Sequence, residues 1–174
     1  LELGCGNGEY TNSLALKYVD KNFVGVDRAG ARIWTASKRS IELELKNVIY
    51  LLEYVERIHE YFDEKSVEEI WIPFPNPLPR RKQMKKMLVH PRYLEIYKRL
   101  MIPEGSIHLK TDDDILYEYT LQLVEKENLK MIAFSDDLYS NGVGVAKENI
   151  LTKFESNYIN EGKKIKYVNF GFNY

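Results

Sequence analysis

Two glycines and two carboxylates near the start of the chain are placed to do chemistry. The sequence opens Leu1-Glu2-Leu3-Gly4-Cys5-Gly6-Asn7-Gly8, and nineteen residues after Gly8 the run Phe23-Val24-Gly25-Val26 ends on Asp27. Glycine lacks a Cβ and reaches backbone conformations closed to other residues, so a strand entering this turn brings bare main chain against a ligand. An acid ending the next strand can accept both hydroxyls of a ribose lying across the crevice. Together these residues read as an adenosyl-ligand site. The glycines fall at 4, 6 and 8, which departs from the G-x-G-x-x-G dinucleotide fingerprint, and Glu9 stands where a pyrophosphate would want no anion. Glu2 lies in the strand before the turn, where a carboxylate orients the turn or meets a cationic ligand. S-adenosylmethionine carries a sulfonium and an ammonium group, so this inventory favours it over NAD.

A second loaded segment runs from Ile72 to Lys86. Its four prolines in seven residues (Pro73, Pro75, Pro77 and Pro79) suit neither strand nor helix and make a stiff loop. Five cations follow within seven residues: Arg80, Arg81, Lys82, Lys85 and Lys86. The loop leaves the carboxyl end of a strand, where open α/β sheets place their ligand crevice. With His90, Arg92, Lys98 and Arg99 downstream, the run is expected to bind a phosphate backbone rather than serve as a solvated loop.

These motifs need elements to position them. The short β-branched or aromatic runs Phe23–Asp27, Val48–Leu52, Glu69–Phe74, Ser106–Thr111 and Met131–Ser135 suit central strands. Amphipathic stretches alternate with them: Tyr10–Tyr18, Ala29–Leu45, Pro91–Met101 and Asp113–Asn128. A last helix over Thr152–Glu161 leads into an alternating strand, Lys166–Phe172. This predicts a Rossmann-like, doubly wound α/β domain: a mostly parallel seven-stranded sheet with an antiparallel strand near the C-terminus.

Composition narrows the classes. The 174 residues form one domain able to bury a sizeable core. Basic and acidic side chains number 25 and 26, so a nucleic-acid partner must be met by a local patch and not by global charge. The single cysteine, Cys5, excludes an internal disulfide framework and reads as a small filler of the turn. No apolar run reaches membrane-spanning length and no signal peptide is visible, so a cytoplasmic protein is expected. His59, His90 and His108 lack ligand spacing, and no metal is expected. Trp34 and Trp71 sit at apolar-periodic positions and are expected in the core or the crevice wall.

At this point the chain resembles the bacterial tRNA (guanine-N7)-methyltransferases over essentially its whole length. The likeness rests on Leu1–Gly6, on Val24-Gly25-Val26-Asp27, on the loop from Phe74 to Lys86, on Gly105-Ser106-Ile107-His108-Leu109-Lys110-Thr111-Asp112 and on Thr152-Lys153-Phe154-Glu155. The Lys21–Trp34 stretch is most similar to versions from the Bacteroides group. The resemblance implies a class I S-adenosylmethionine-dependent methyltransferase, a single domain over residues 1–174 without the family's N-terminal extension, acting as a monomer or homodimer. It implies transfer of methyl to N7 of a variable-loop guanosine, position 46, in tRNA, with S-adenosylhomocysteine as product. It places Glu2, Gly4, Gly6 and Asp27 in the cofactor site, and Arg80, Asp112 and the Thr152–Glu155 segment against the RNA.

The chemistry agrees with that inventory. Guanine N7 has an in-plane lone pair and no hydrogen, so methyl transfer needs alignment and water exclusion but no general base. Carboxylates can stabilise the developing purinium charge and accept from the N1–H and N2 amino edge; Asp112 and Glu155 are the candidates. Asp112, just before a helix, could equally cap it. Three positions depart from the family pattern, one of them Leu78, where the family loop often carries Trp. Asn76 stands where the family loop carries Asp, in a position implied to be both catalytic and cofactor-binding, and an amide supplies no charge. Tyr54 stands by count where an acid follows the third strand, with Glu53 and Glu56 nearby. Asn76-Pro77 also suits methylation of an exocyclic amine or amide nitrogen, and a chain that binds cofactor and tRNA without turnover is a further alternative.

Overall fold

The computed structural model describes residues 1–76, 84–140 and 150–174. Among them, seven strands form one sheet: β1 (Glu2–Leu3), β2 (Phe23–Asp27), β3 (Val48–Leu52), β4 (Val67–Pro73), β5 (Met101–Thr111), β6 (Lys130–Ser135) and β7 (Lys166–Gly171). Five helices accompany them: α1 (Glu9–Lys17), α2 (Gly30–Glu42), α3 (Pro91–Leu100), α4 (Asp114–Lys126) and α5 (Lys153–Asn160). The strand order is β3-β2-β1-β4-β5-β7-β6. Strands β1 to β5 pair in parallel, and β7 lies antiparallel between β5 and β6. The expected class I methyltransferase architecture is present. No helix among the described residues is long and apolar enough to cross a membrane.

Each central strand sends alternate residues to opposite faces, and the two faces differ in chemistry. Ile70 and Ile72 on β4, Ile107 and Leu109 on β5, and Val168 and Phe170 on β7 join a mainly aliphatic core with Leu94 of α3 and Leu116 of α4. The intervening residues Trp71 and Tyr167 face Tyr10 and Leu14 of α1. On this second face His108 stacks on Trp71 at 3.9 Å between ring centroids and pairs with the Tyr167 hydroxyl at 2.8 Å. Trp71 is therefore core, as expected. Trp34 is not: its side chain on α2 is 65% exposed.

Element ends moved by a few residues for identifiable reasons. β5 begins at Met101 rather than Ser106, because Met101 pairs with Val67 across an irregularity that absorbs Pro103 and Gly105. α2 stops at Glu42, followed by Glu44 in a left-handed conformation at φ 55°. Ahead of α4 the capping residue is Asp113, whose Oδ1 accepts from the Leu116 N–H at 2.6 Å; the capping role open to Asp112 goes to its neighbour.

Gly25, inside β2, marks a close approach. A Cβ there would stand 2.6 Å from Cε1 of Tyr50 and 3.0 Å from Cys5 Sγ. The Tyr50 hydroxyl donates to Asn12 Oδ1 at 2.8 Å and stands 3.2 Å from the Gly8 carbonyl, so the ring cannot retreat cheaply. Gly25→Ala is expected to cost about 1–3 kcal/mol in urea denaturation, the range for overpacking a tight contact.

Candidate active site

The sheet reverses direction of growth at β1. The chain leaves β1 toward β2 and β3, then returns to place β4 on the other side. Loops diverge at such a switch point and open a crevice beyond the carboxyl ends of the strands. A crevice of about 430 Å³ lies there, with Glu2, Gly4, Gly6 and Asn7 from β1 and its turn, Arg32 of α2, Phe74 after β4, and Thr152 and Phe154 at the start of α5. A cavity of about 450 Å³ opens at the opposite, amino ends of β1, β2 and β4, lined by Phe23, Val24, Glu68 and Glu69. Leu1 and Glu2 also line it, but it lacks the glycine turn and Asp27.

The turn conforms to its composition. Gly4 and Gly6 adopt φ of 73° and 55°, and an added Cβ at either would meet open space. Side chains are thus excluded by backbone conformation and not by crowding, which leaves bare main chain facing the crevice. Asp27 locks the turn from β2. Its Oδ2 accepts from the Gly6 N–H at 3.0 Å and its Oδ1 from the Ala29 N–H at 2.8 Å. Each oxygen keeps a lone pair for a further donor, such as a ribose hydroxyl. The Arg32 guanidinium stands 3.7 Å from Asp27 Oδ2.

Glu2 is buried at the base of the crevice, where its carboxylate accepts from the Thr11 hydroxyl of α1. Burial pushes its pKa up from 4.5 to about 7, against the Thr11 hydrogen bond, which pulls it down. A cationic group arriving here would favour the ionised form. Cys5 is buried and its thiol is pushed far above the ordinary range, chiefly by burial, which suits a filler and not a nucleophile. A glycine cradle, an acid at its base and an acid at the next strand end fit an adenosyl ligand with a cationic tail, as S-adenosylmethionine is.

The far wall comes from the other end of the chain. Lys110, alternating to the second face of β5, is fully buried and pairs with Glu155 of α5 at 2.7 Å. The Tyr139 hydroxyl donates to Glu155 Oε1 at 2.7 Å, and the ammonium lies 5.6 Å from the centroid of the Tyr10 ring. Burial pulls the Lys110 pKa down, while Glu155 opposes the shift. Thr152 caps the helix by accepting from the Glu155 N–H at 3.2 Å, and Glu9 of α1 accepts from the Lys153 N–H at 2.8 Å. These bonds hold the start of α5 against the glycine turn.

Phe74 joins that wall in a strained conformation. Its φ of 51° is left-handed for a bulky residue, a cost of order 1–3 kcal/mol. Its N–H donates to the Lys110 carbonyl at 2.7 Å, and its ring packs edge-on against Phe154 at 5.4 Å and Tyr158 at 5.8 Å. Lys163 lies 3.7 Å over the Tyr158 ring and bonds Asp112 at 3.1 Å.

The structure thus gathers Glu2, Gly4, Gly6 and Thr152 on one crevice, with Asp27 one hydrogen bond away. Glu155 lies beneath it, fully buried. Asp112 is partly exposed at the end of β5 and reaches the aromatic trio through Lys163. Asn76, two residues past Phe74, is exposed, and Tyr54 is 56% exposed beyond β3. Arg80, with Arg81 and Lys82, lies outside the described residues. The acid that follows β3 directly is Glu53, held below the usual carboxylate range by the Tyr54 N–H and then the Tyr61 hydroxyl. Sequence reasoning missed Arg32 and the Phe74–Phe154–Tyr158 trio. An arginine in the first turn after the ribose acid was a signal available for the former; nothing local announced the latter.

Comparison with known proteins agrees with this geometry. Residues 1–168 match a family described as "Putative methyltransferase". A tRNA (guanine-N(7)-)-methyltransferase from Porphyromonas gingivalis is 42% identical over 174 residues, covering 98% of this chain and 70% of that protein. One from Bacteroides fragilis is 38% identical over 170 residues, covering 98% and 67%. A SAM-dependent methyltransferase from Aquifex aeolicus shares the fold at a TM-score of 0.66 and 18% identity, covering 99% of this chain and 80% of that one.

Two outcomes follow from the buried acids. Lys110→Met, which strands the Glu155 charge, is expected to cost about 3–5 kcal/mol in urea denaturation, and Lys110→Met with Glu155→Leu distinctly less. For Glu2 the folded pKa lies above the unfolded one, so its contribution to stability is complete below pH 4.5 and is lost as pH rises through about 7. The urea midpoint of the native protein is expected to fall relative to that of Glu2→Gln across this window, and parallel curves would contradict the assignment.

Proposed function

Because the chain belongs to the tRNA (guanine-N7)-methyltransferase family, we propose that it methylates N7 of guanosine 46 in the variable loop of tRNA. The observation that carries the reading is the open glycine turn at the switch point, flanked by Glu2 and Asp27 and faced by Thr152 and Phe154. S-adenosylmethionine, the methyl donor of this class of enzyme, supplies an electrophilic methyl group on sulfur.

The chain's own residues have four tasks. Gly4 and Gly6 admit the ligand's close approach, and the buried Glu2 carboxylate faces its cationic methionine end. Asp27 holds the ribose hydroxyls, and Tyr54 flanks the adenine from beyond β3. Phe74, Phe154 and Tyr158 form an apolar wall that excludes water and against which a guanine ring can stack. The proposed guanine-edge acceptor is Asp112, which reaches that wall through Lys163; Glu155, buried in its pair with Lys110, acts from below on Thr152.

N7 carries no proton, so no residue need act as a base. What remains is to hold N7, methyl carbon and sulfur in line and to balance the positive charge that appears on the purine. Asn76 can orient a group by hydrogen bonding but adds no charge there. Arg80 and its neighbouring cations are assigned to phosphates.

Methyl transfer from labelled S-adenosylmethionine to unmodified tRNA, followed by nucleoside analysis, tests the reading. The expected product is N7-methylguanosine, absent when guanosine 46 is replaced by adenosine. Asn76→Asp is expected to raise kcat by about tenfold or more, as a charge aimed at the developing cation contributes a few kcal/mol at most. Label in an exocyclic amine would reassign the target atom, and cofactor binding without transfer would mark a protein that only binds.

A further inference from the structure

We propose that the outer face of α2 is a second RNA-binding surface, separate from the proline loop, that carries phosphates of the tRNA away from the methylated base. This rests on tRNA being the substrate.

The composition of this face is anomalous for the chain. Acids outnumber bases by 26 to 25 overall, yet the fourteen residues from Arg28 to Ile41 hold four cations (Arg28, Arg32, Lys38 and Arg39) and no acid. All four are exposed. Within α2, Arg32, Thr35 and Arg39 follow spacings of three and four residues, which align side chains along one face of a helix; Arg28 lies two residues ahead of α2. From Arg32 to Arg39 the ridge runs about 10 Å along the axis, at about 1.5 Å per residue.

Folding alone does not favour the amino end of this arrangement. Arg28 and Arg32 there oppose the helix dipole with no acid in the first turn to offset them, whereas Arg39 stands in the last turn, where the dipole favours it. Arg32 has Asp27 at 3.7 Å and Lys38 has Glu42 at 3.8 Å. Arg28 and Arg39 have no carboxylate partner among the described residues. Guanidinium groups left in this state suit the paired oxygens of phosphates.

The aromatic beside the ridge points the same way. Trp34 is 65% exposed, with the Lys38 ammonium 5.4 Å from its ring centroid. A large exposed indole flanked by cations offers a stacking platform for a base, whereas a protein partner's apolar surface would be met by a face depleted of charge. The ridge is also continuous with the reaction site, because Arg32 lines the crevice. A strand of RNA entering the crevice would therefore pass onto α2.

The test uses the full chain, unmodified tRNA and a series of salt concentrations. Lys38→Gln with Arg39→Gln is expected to weaken tRNA binding about tenfold and to reduce the slope of log K against log salt by about one to two. Trp34→Ala is expected to weaken it roughly tenfold with little change in slope. S-adenosylmethionine affinity, which reads the fold of the crevice, stays unchanged, and the loss appears in KM for tRNA and not in kcat. Native protein that methylates tRNA while both variants bind it normally overturns the ridge and leaves the proposed reaction standing. Unchanged tRNA affinity with a shift in molecular mass assigns the face to self-association and overturns it too. Native protein that neither binds nor methylates tRNA removes the reaction itself, and the ridge with it.

Discussion

The crevice depends on a buried ion pair. Lys110 and Glu155 meet at 2.7 Å with no exposure to solvent, and their separation along the chain is 45 residues. Each charge alone would be intolerable there, because desolvating an ammonium or a carboxylate costs several kcal/mol that only a well-placed partner offsets. Tyr139 and Tyr10 take up the remaining polarity of the pair. The consequence is geometric. α5 begins at one place on the sheet, and its cap Thr152 and ring Phe154 become the far wall of a site whose near wall is the first turn of the protein.

The same strand end gathers the other constraints. The Lys110 carbonyl accepts the Phe74 N–H, so the residue that binds Glu155 by its side chain holds the strained turn after β4 by its backbone. The left-handed Phe74 persists because its ring is packed on Phe154 and Tyr158, which the ion pair positions. The wall is cooperative for that reason. Loss of the pair would free α5, then the aromatic trio, then the entry to the proline loop.

Electrostatics divide along the same geometry. The apolar face of the sheet carries stability; the opposite face carries buried polar groups, from the Trp71–His108 stack to Lys110 and Glu155, and ends at the site. A chain of nearly zero net charge can still meet an anionic partner, because what a phosphate senses is the local field within about 10 Å at ordinary salt. Clustered cations on one helix produce such a field without altering the total.

Much of the fold was legible in order. Period-two and period-3.6 patterns and the Gly-rich turn named the strands, the helices and the doubly wound class, since each signal lies within a few residues of the structure it specifies. Glu2, Gly4, Gly6 and Asp27 were legible too, because a strand, a turn and the next strand bring them together over fewer than thirty residues. Tertiary structure alone decided the rest. Glu155, a candidate acceptor for the guanine edge, is the buried partner of Lys110, Asp113 rather than Asp112 became the cap, Trp34 faced outward, and Phe74 met Phe154 across 80 residues. Local sequence states what a residue prefers; which buried charge it must neutralise, and which ring it must cover, is set by chain segments that only the folded sheet makes neighbours.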